Sequence, residues 1–196
     1  MGKIAGRVLL IAIVLVVGLL LVFVAIEKAR GAAANRIVGG QAEVEVCFTP
    51  EMPCEGRIVE LVDQAQKEAL VMAYTFTSKP VLDALLRAQG RGVRIEVILD
   101  ASQASNRSSV LLALQMARIP LWLDQSVRIM HNKVLILDRE RVVTGSYNLT
   151  KSAAESNAEN LIVLTGSDQL VAAYVRNFDR RKKAADRVEA KKAVKR

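Results

Sequence analysis

Histidine is all but missing from this chain, which holds one imidazole, His131, in 196 residues. Chemistry that needs two imidazoles therefore cannot come from a single copy. Aromatic side chains are also scarce, at 4%, which speaks against a stacking platform for single-stranded bases. There are two cysteines, Cys47 and Cys54. With one distant histidine they fall short of the four ligands of a usual zinc site, so no zinc site is expected. Internal repeats are lacking too: the motif around His131 occurs once.

Apolar residues are plentiful, at 52%, and part of that excess lies in one run. Residues 8–26 carry no charge and are apolar apart from Gly18. As a helix they would span about 28 Å at roughly 1.5 Å per residue, close to the ~30 Å hydrocarbon thickness of a bilayer. A cleavable signal has a shorter apolar core of about 7–15 residues. The small-residue run Ala32-Ala33-Ala34 resembles a cleavage site, but it lies beyond the charged stretch 27–30. An uncleaved transmembrane helix is the preferred reading, and a secreted domain is the alternative if cleavage occurs. Lys3 and Arg7 favour an inside N-terminus, while Lys28, Arg30 and Arg36 weaken that bias.

Cys47 and Cys54 are seven positions apart, with Pro50 and Pro53 between them. In an oxidising compartment they would close a small disulfide loop; otherwise they are two free thiols. The disulfide reading favours a domain exported to the outer side of the membrane. Net charge is +8, concentrated at residues 179–196, where nine Lys or Arg face three Asp or Glu. Such a tail can contact nucleic acid or anionic headgroups, or be a solvated helix-prone end.

Five segments follow: a basic N-terminus over 1–7, the anchor over 8–26, a linker over 27–43, a catalytic domain over 44–178 and a basic tail over 179–196. Inside the domain, helical spacing covers 56–69, 81–88 and 110–117, and a last helix begins at 168. Strand patterns cover 70–76, 93–99, 120–123 and 161–164. After Ile129 the pattern becomes strand, tight turn at 138–141, strand. This alternation predicts an α/β fold, a layered mixed sheet flanked by helices.

The chemistry gathers in His131-x-Lys133, Asp138 and Gly145-Ser146-x-Asn148. On an extended strand His131 and Lys133 share a face, so imidazole and ammonium can meet one substrate. Asp138 has opposite parity and falls at the turn. Ser146 and Asn148 share parity and lead into Thr150, a candidate helix cap whose following N–H groups could receive an anion. Taken singly, each residue has an ordinary structural use in packing, turns or caps. Together, at fixed spacing, they point to phosphodiester chemistry.

His131-x-Lys133-x4-Asp138-x6-Gly145-Ser146-x-Asn148 is similar to the signature of the phospholipase D superfamily at every defining position. Residues 73–78, 91–95 and 157–160 also resemble stretches of its small single-motif bacterial endonucleases. The resemblance implies a metal-independent, two-step phosphodiesterase built from two motif copies, hence a homodimer. It implies His131 of one subunit as nucleophile and His131 of the other as general acid. It also implies that Lys133 and Asn148 bind non-bridging oxygens, that Ser146 orients substrate, and that Asp138 is mainly structural. Glu159 is expected to hydrogen-bond the histidine and set its tautomer. The expected activity is non-specific cleavage of DNA or RNA. Hydrolysis of membrane phospholipids and a non-catalytic phosphate-binding module are the alternatives.

Overall fold

The computed structural model describes residues 16–19 and 42–189. Residues 16–19 form one helical turn. The rest of the expected anchor over 8–26, the segment 1–7, most of the linker and the last seven residues lie outside the described residues. Among the described residues no helix is long and apolar enough to cross a membrane.

Eight strands form one sheet in the order β1-β7-β6-β5-β2-β3-β4-β8. They are β1 (Glu43–Thr49), β2 (Glu68–Ala73), β3 (Arg94–Asp100), β4 (Leu121–Asp124), β5 (Lys133–Leu137), β6 (Arg141–Gly145), β7 (Glu159–Thr165) and β8 (Asp186–Val188). The helices are α1 (Cys54–Gln64), α2 (Lys79–Gly90), α3 (Leu111–Met116), α4 (Lys151–Glu155) and α5 (Asp168–Ala184). Strands β2, β3 and β4 run parallel, joined by helical crossovers, and the remaining pairings are antiparallel. The expected layered mixed sheet is therefore present.

Side-chain alternation divides the core between the two faces of the sheet. Val71, Val97 and Leu135 pack with Ile58 and Leu61 of α1 and Leu85 of α2. Their neighbours Met72, Ile98 and Ile136 pack with Val171, Val175 and Phe178 of α5. Central β2 is buried along its whole length, as expected for a strand covered on both faces.

Local chemistry sets the helix ends. Ser78 caps α2 by accepting from the Val81 N–H, and Pro80 occupies the first turn, where its missing N–H costs nothing. Helix α1 stops at Gln64 rather than running to residue 69. The next backbone N–H groups, of Gln66, Lys67 and Glu68, are taken by the Asp138 carboxylate, and Ala69 lies within β2.

The expected boundary at residue 178 falls inside α5, which continues to Ala184 and leads into β8. Arg181 lies 3.5 Å from the buried Asp124 carboxylate. Lys182 bonds Glu96 at 2.7 Å and sits 4.5 Å above the centre of the Trp122 ring. These contacts turn part of the basic tail into a covering for β4. Cys47 and Cys54 form a disulfide that ties β1 to the first residue of α1. Such bonds persist in domains that face an oxidising compartment.

Candidate active site

Strand register brings the candidate residues to one end of the sheet. Lys133 opens β5 opposite Ala73, the last residue of β2. Gly145 ends β6 opposite Leu161, and Glu159 opens β7 opposite Thr49. The Tyr74 N–H donates to the Asn132 carbonyl at 2.8 Å and carries the β2–β5 ladder past the strand ends. His131 lies just ahead of β5 with its side chain exposed.

Lys133 is 8% exposed and faces the α1 side of the sheet with Leu135 and Leu137. Its ammonium donates to the His131 carbonyl at 3.1 Å. Burial lowers the lysine's pKa below the usual range, and the Glu159 carboxylate opposes that shift. Tyr74 touches both groups. Its ring centre is 4.6 Å from that of His131, tilted by 57°, and 5.1 Å from the Lys133 ammonium.

Ser146 and Asn148 lie in the loop after β6 rather than on the strand itself. Both the Ser146 and Tyr147 N–H groups donate to the Asn160 carbonyl, at 3.1 and 3.3 Å. The Ser146 hydroxyl donates to Glu159 at 2.6 Å and accepts from the Asn160 backbone and side-chain nitrogens at 3.0 and 3.2 Å. It is thus committed within the chain. Asn157 adds a second donor to Glu159 at 3.0 Å. Within one copy of the chain the Glu159 carboxylate accepts from Ser146 and Asn157 and has no hydrogen bond to His131.

Tyr147, between the two candidate residues, fills the core. Its hydroxyl is buried without a partner, and burial together with Glu55 and Glu159 pushes its pKa well up. The Asn148 Oδ1 atom is likewise buried and unpaired. Thr150 caps α4 as expected, accepting from the Ala153 N–H, but that helix is only five residues long.

Gly145 makes the turn into this loop possible. Its φ is +146°, and a β-carbon there would collide with the Asn160 carbonyl oxygen. Gly145→Ala is expected to cost about 2–3 kcal/mol through backbone strain and steric push. Thermal melting checks the loss. Activity should fall further than stability, because the displaced Asn160 carbonyl anchors Ser146 and Tyr147.

Asp138 does not join the site. It lies past the far end of β5, five residues from Lys133 and about 17 Å away at roughly 3.4 Å per residue. What converges at the near end is an exposed imidazole, a buried ammonium, a carboxylate-centred network and the Asn148 amide. This arrangement can engage an anion at an open surface. Among the described residues no cluster of three or more His, Cys, Asp or Glu could hold a metal ion.

Known proteins share both the sequence and this architecture. The family described as "Cardiolipin synthase, PLD-like domain" matches residues 58–182. A protein named phospholipase D from Rickettsia prowazekii (strain Madrid E) is 36% identical over 148 residues, covering 76% of this chain and 72% of the relative. A mitochondrial cardiolipin hydrolase from Xenopus tropicalis is 33% identical over 124 residues, covering 63% and 59%. The crystal structure of a phospholipase D family member, Nuc from Salmonella typhimurium, superposes with a TM-score of 0.72 at 29% identity, covering 76% of this chain and 99% of that one. The chain therefore belongs to the phospholipase D superfamily of phosphodiesterase hydrolases.

Proposed function

We propose that this protein hydrolyses phospholipids at an anionic membrane surface, as a homodimer that shares one site between two copies of His131. A nitrogen of one imidazole attacks phosphorus, and the P–O bond to the leaving alcohol breaks as the partner's imidazolium protonates that oxygen. Water then attacks the phosphohistidine, passes a proton to the second imidazole and releases the first. Lys133 and the Asn148 amide hold the non-bridging oxygens, whose charge grows in the transition state. Ser146 and Asn157 fix Glu159, which supports the buried Lys133 charge.

The observation that carries the lipid reading is the loop between β4 and β5. Val127, Arg128 and Ile129 are all exposed, the two apolar ones at 39% and 46%, and Ile129 is two residues from His131. The loop is pinned beside them: Met130 is buried, and its N–H donates to the Asp100 carboxylate at 2.7 Å. Apolar side chains alternating with a cation suit the boundary between acyl chains and anionic headgroups. A phosphate backbone in water offers the two apolar groups nothing. The names of the rickettsial and Xenopus relatives agree with a lipid substrate, and the Cys47–Cys54 bond agrees with an exported domain on an N-terminal anchor. Cleavage of DNA or RNA, the first expectation from sequence, remains as a second reading on the net charge of +8.

The test gives the full chain, in detergent or reconstituted, three substrates with chelator present. These are vesicles containing cardiolipin and phosphatidylglycerol, plasmid DNA, and the soluble diester bis(p-nitrophenyl) phosphate. Vesicle lipid and soluble diester should both be cut. The double change Val127→Asp and Ile129→Asp should lower vesicle hydrolysis at least about tenfold, since each lost apolar contact costs about 1.5 kcal/mol or more. It should spare the soluble diester. Intact vesicles beside degraded plasmid would replace the lipid reading with the nuclease one.

A further inference from the structure

An exposed imidazole that attacks phosphorus needs a contact that holds it in one orientation. His131 stands outside the regular part of β5, and the Glu159 carboxylate is engaged by Ser146 and Asn157. The side chain packed against it is Tyr74, at 4.6 Å between ring centres. The same ring lies 5.1 Å from the Lys133 ammonium. One aromatic ring thus meets both groups that the proposed reaction brings to phosphorus.

The placement of Tyr74 is rigid. It follows directly on β2, the fully buried central strand, and its own N–H is bonded to the Asn132 carbonyl between His131 and Lys133. Two residues on, Phe76 is fully buried and bridges to Leu149, next to Asn148. The segment from 73 to 76 therefore touches both halves of the site. Tyr74 is half-buried, and the imidazole packs against its ring at a tilt. A face rich in π electrons attracts an ammonium or imidazolium and holds a neutral ring by packing, without demanding a particular tautomer. That last property matters here. In the proposed dimer one imidazole must be neutral and the other protonated, so a contact tolerant of both states suits both copies.

We propose that Tyr74 is a positioning residue whose ring fixes the orientation of His131 and seats the Lys133 ammonium beside it, so that both meet one phosphoryl group. The inference rests on the phosphodiesterase reading of His131, and the hydroxyl of Tyr74 has no part in it. Misplacing a reacting group by about 1 Å costs on the order of 100-fold in rate. Tyr74→Leu should therefore lower kcat on bis(p-nitrophenyl) phosphate by about that factor with little change in KM, because Lys133 remains tied to the His131 carbonyl. Tyr74→Phe should stay within about twofold of wild type, since the ring is retained.

A second readout reports the contact without catalysis. The chain has one histidine, so the imidazole C–H resonances of full-length, histidine-labelled protein are unambiguous. The Tyr74 ring current should displace them. Tyr74→Leu should return them toward the position of an unpacked histidine, while Tyr74→Phe should not. Unmoved resonances in the Leu variant would overturn the packing. Moved resonances with unchanged kcat would overturn the positioning role. Equal losses in Phe and Leu variants would assign the effect to the hydroxyl and defeat the proposal. An inactive wild type would defeat the phosphodiesterase reading instead, an outcome distinct from all three.

Discussion

Substituting His131 by alanine should abolish turnover on every phosphodiester, with a loss of about ten-thousand-fold or more, as when a nucleophile is deleted from a covalent mechanism. The fold should survive. His131 is exposed and precedes β5, so its removal opens no cavity and leaves in place both the Lys133 ammonium's bond to the carbonyl of residue 131 and the Tyr74–Asn132 backbone bond. The sharper result concerns mixtures. One chain brings one imidazole, and the proposed reaction consumes one as nucleophile and another as acid. If wild-type and His131→Ala chains are co-expressed in equal amounts and pair at random, only dimers with two imidazoles turn over. Activity should then fall to about a quarter of an all-wild-type sample, the fraction of doubly intact pairs in a random twofold assembly. A monomeric enzyme would retain about half on the same subunit arithmetic. A value near half, with both chains folded and expressed equally, would remove the shared-site mechanism while leaving His131 as the nucleophile. Phosphohistidine trapped after rapid acid quench supplies the chemical half of the check.

The parts of this molecule readable from sequence are those where one physical rule dominates. The alternation of 93–99 places Val97 and Leu99 on one face and Ile98 on the other, and burial on both faces followed. The 138–141 turn was readable because Asp tolerates a left-handed backbone; Asp138 has φ 54°. The observed loop is shorter, since Arg141 already pairs with Leu137. Where two rules compete, local pattern is a poor guide. The apolar spacing of 56–65 continues in register to Ala69, but the next three N–H groups bond to a carboxylate seventy or so residues away, and the helix ends. Strand β1 carries the period-two alternation of Val44, Val46 and Phe48 against Glu43 and Glu45, but its apolar side is the exposed one and Cys47 and Thr49 are the side that packs. β8 is three residues long and follows a basic helix, so composition pointed to a tail. The pairing of Glu159 with Ser146 depends on the loop after Gly145, whose shape no local periodicity records. In the sequence Tyr74 stands in the strand pattern 70–76 and in the family-like stretch 73–78, far from the motif around His131. Its contact arises from the β2–β5 register, a long-range property.

Asp138→Ala should produce the reverse of the histidine variant: a severe loss of stability with activity per folded molecule retained. The carboxylate accepts from three successive backbone N–H groups, of Gln66 at 3.0 Å, Lys67 at 2.7 Å and Glu68 at 3.0 Å. Its own N–H donates to the Glu68 carbonyl at 2.9 Å, and the neighbouring Arg139 bonds the Glu68 side chain at 2.7 Å. Glu68 is 5% exposed and also pairs with Arg94, so the turn, the start of β2 and a buried charge depend on one another. Hydrogen bonds to a charged acceptor contribute about 1.5–3 kcal/mol each, and water recovers part of that at the exposed Gln66 and Lys67, so a net cost of about 3–5 kcal/mol is expected. Asp138→Asn should lose less, since one oxygen still accepts. The distance along β5 keeps the chemistry out of reach. Urea unfolding read beside kcat, both well below the melting temperature, separates the two effects. A stable but inactive Asp138→Ala would instead place this carboxylate in the reaction, against the five strand residues that hold it away from Lys133.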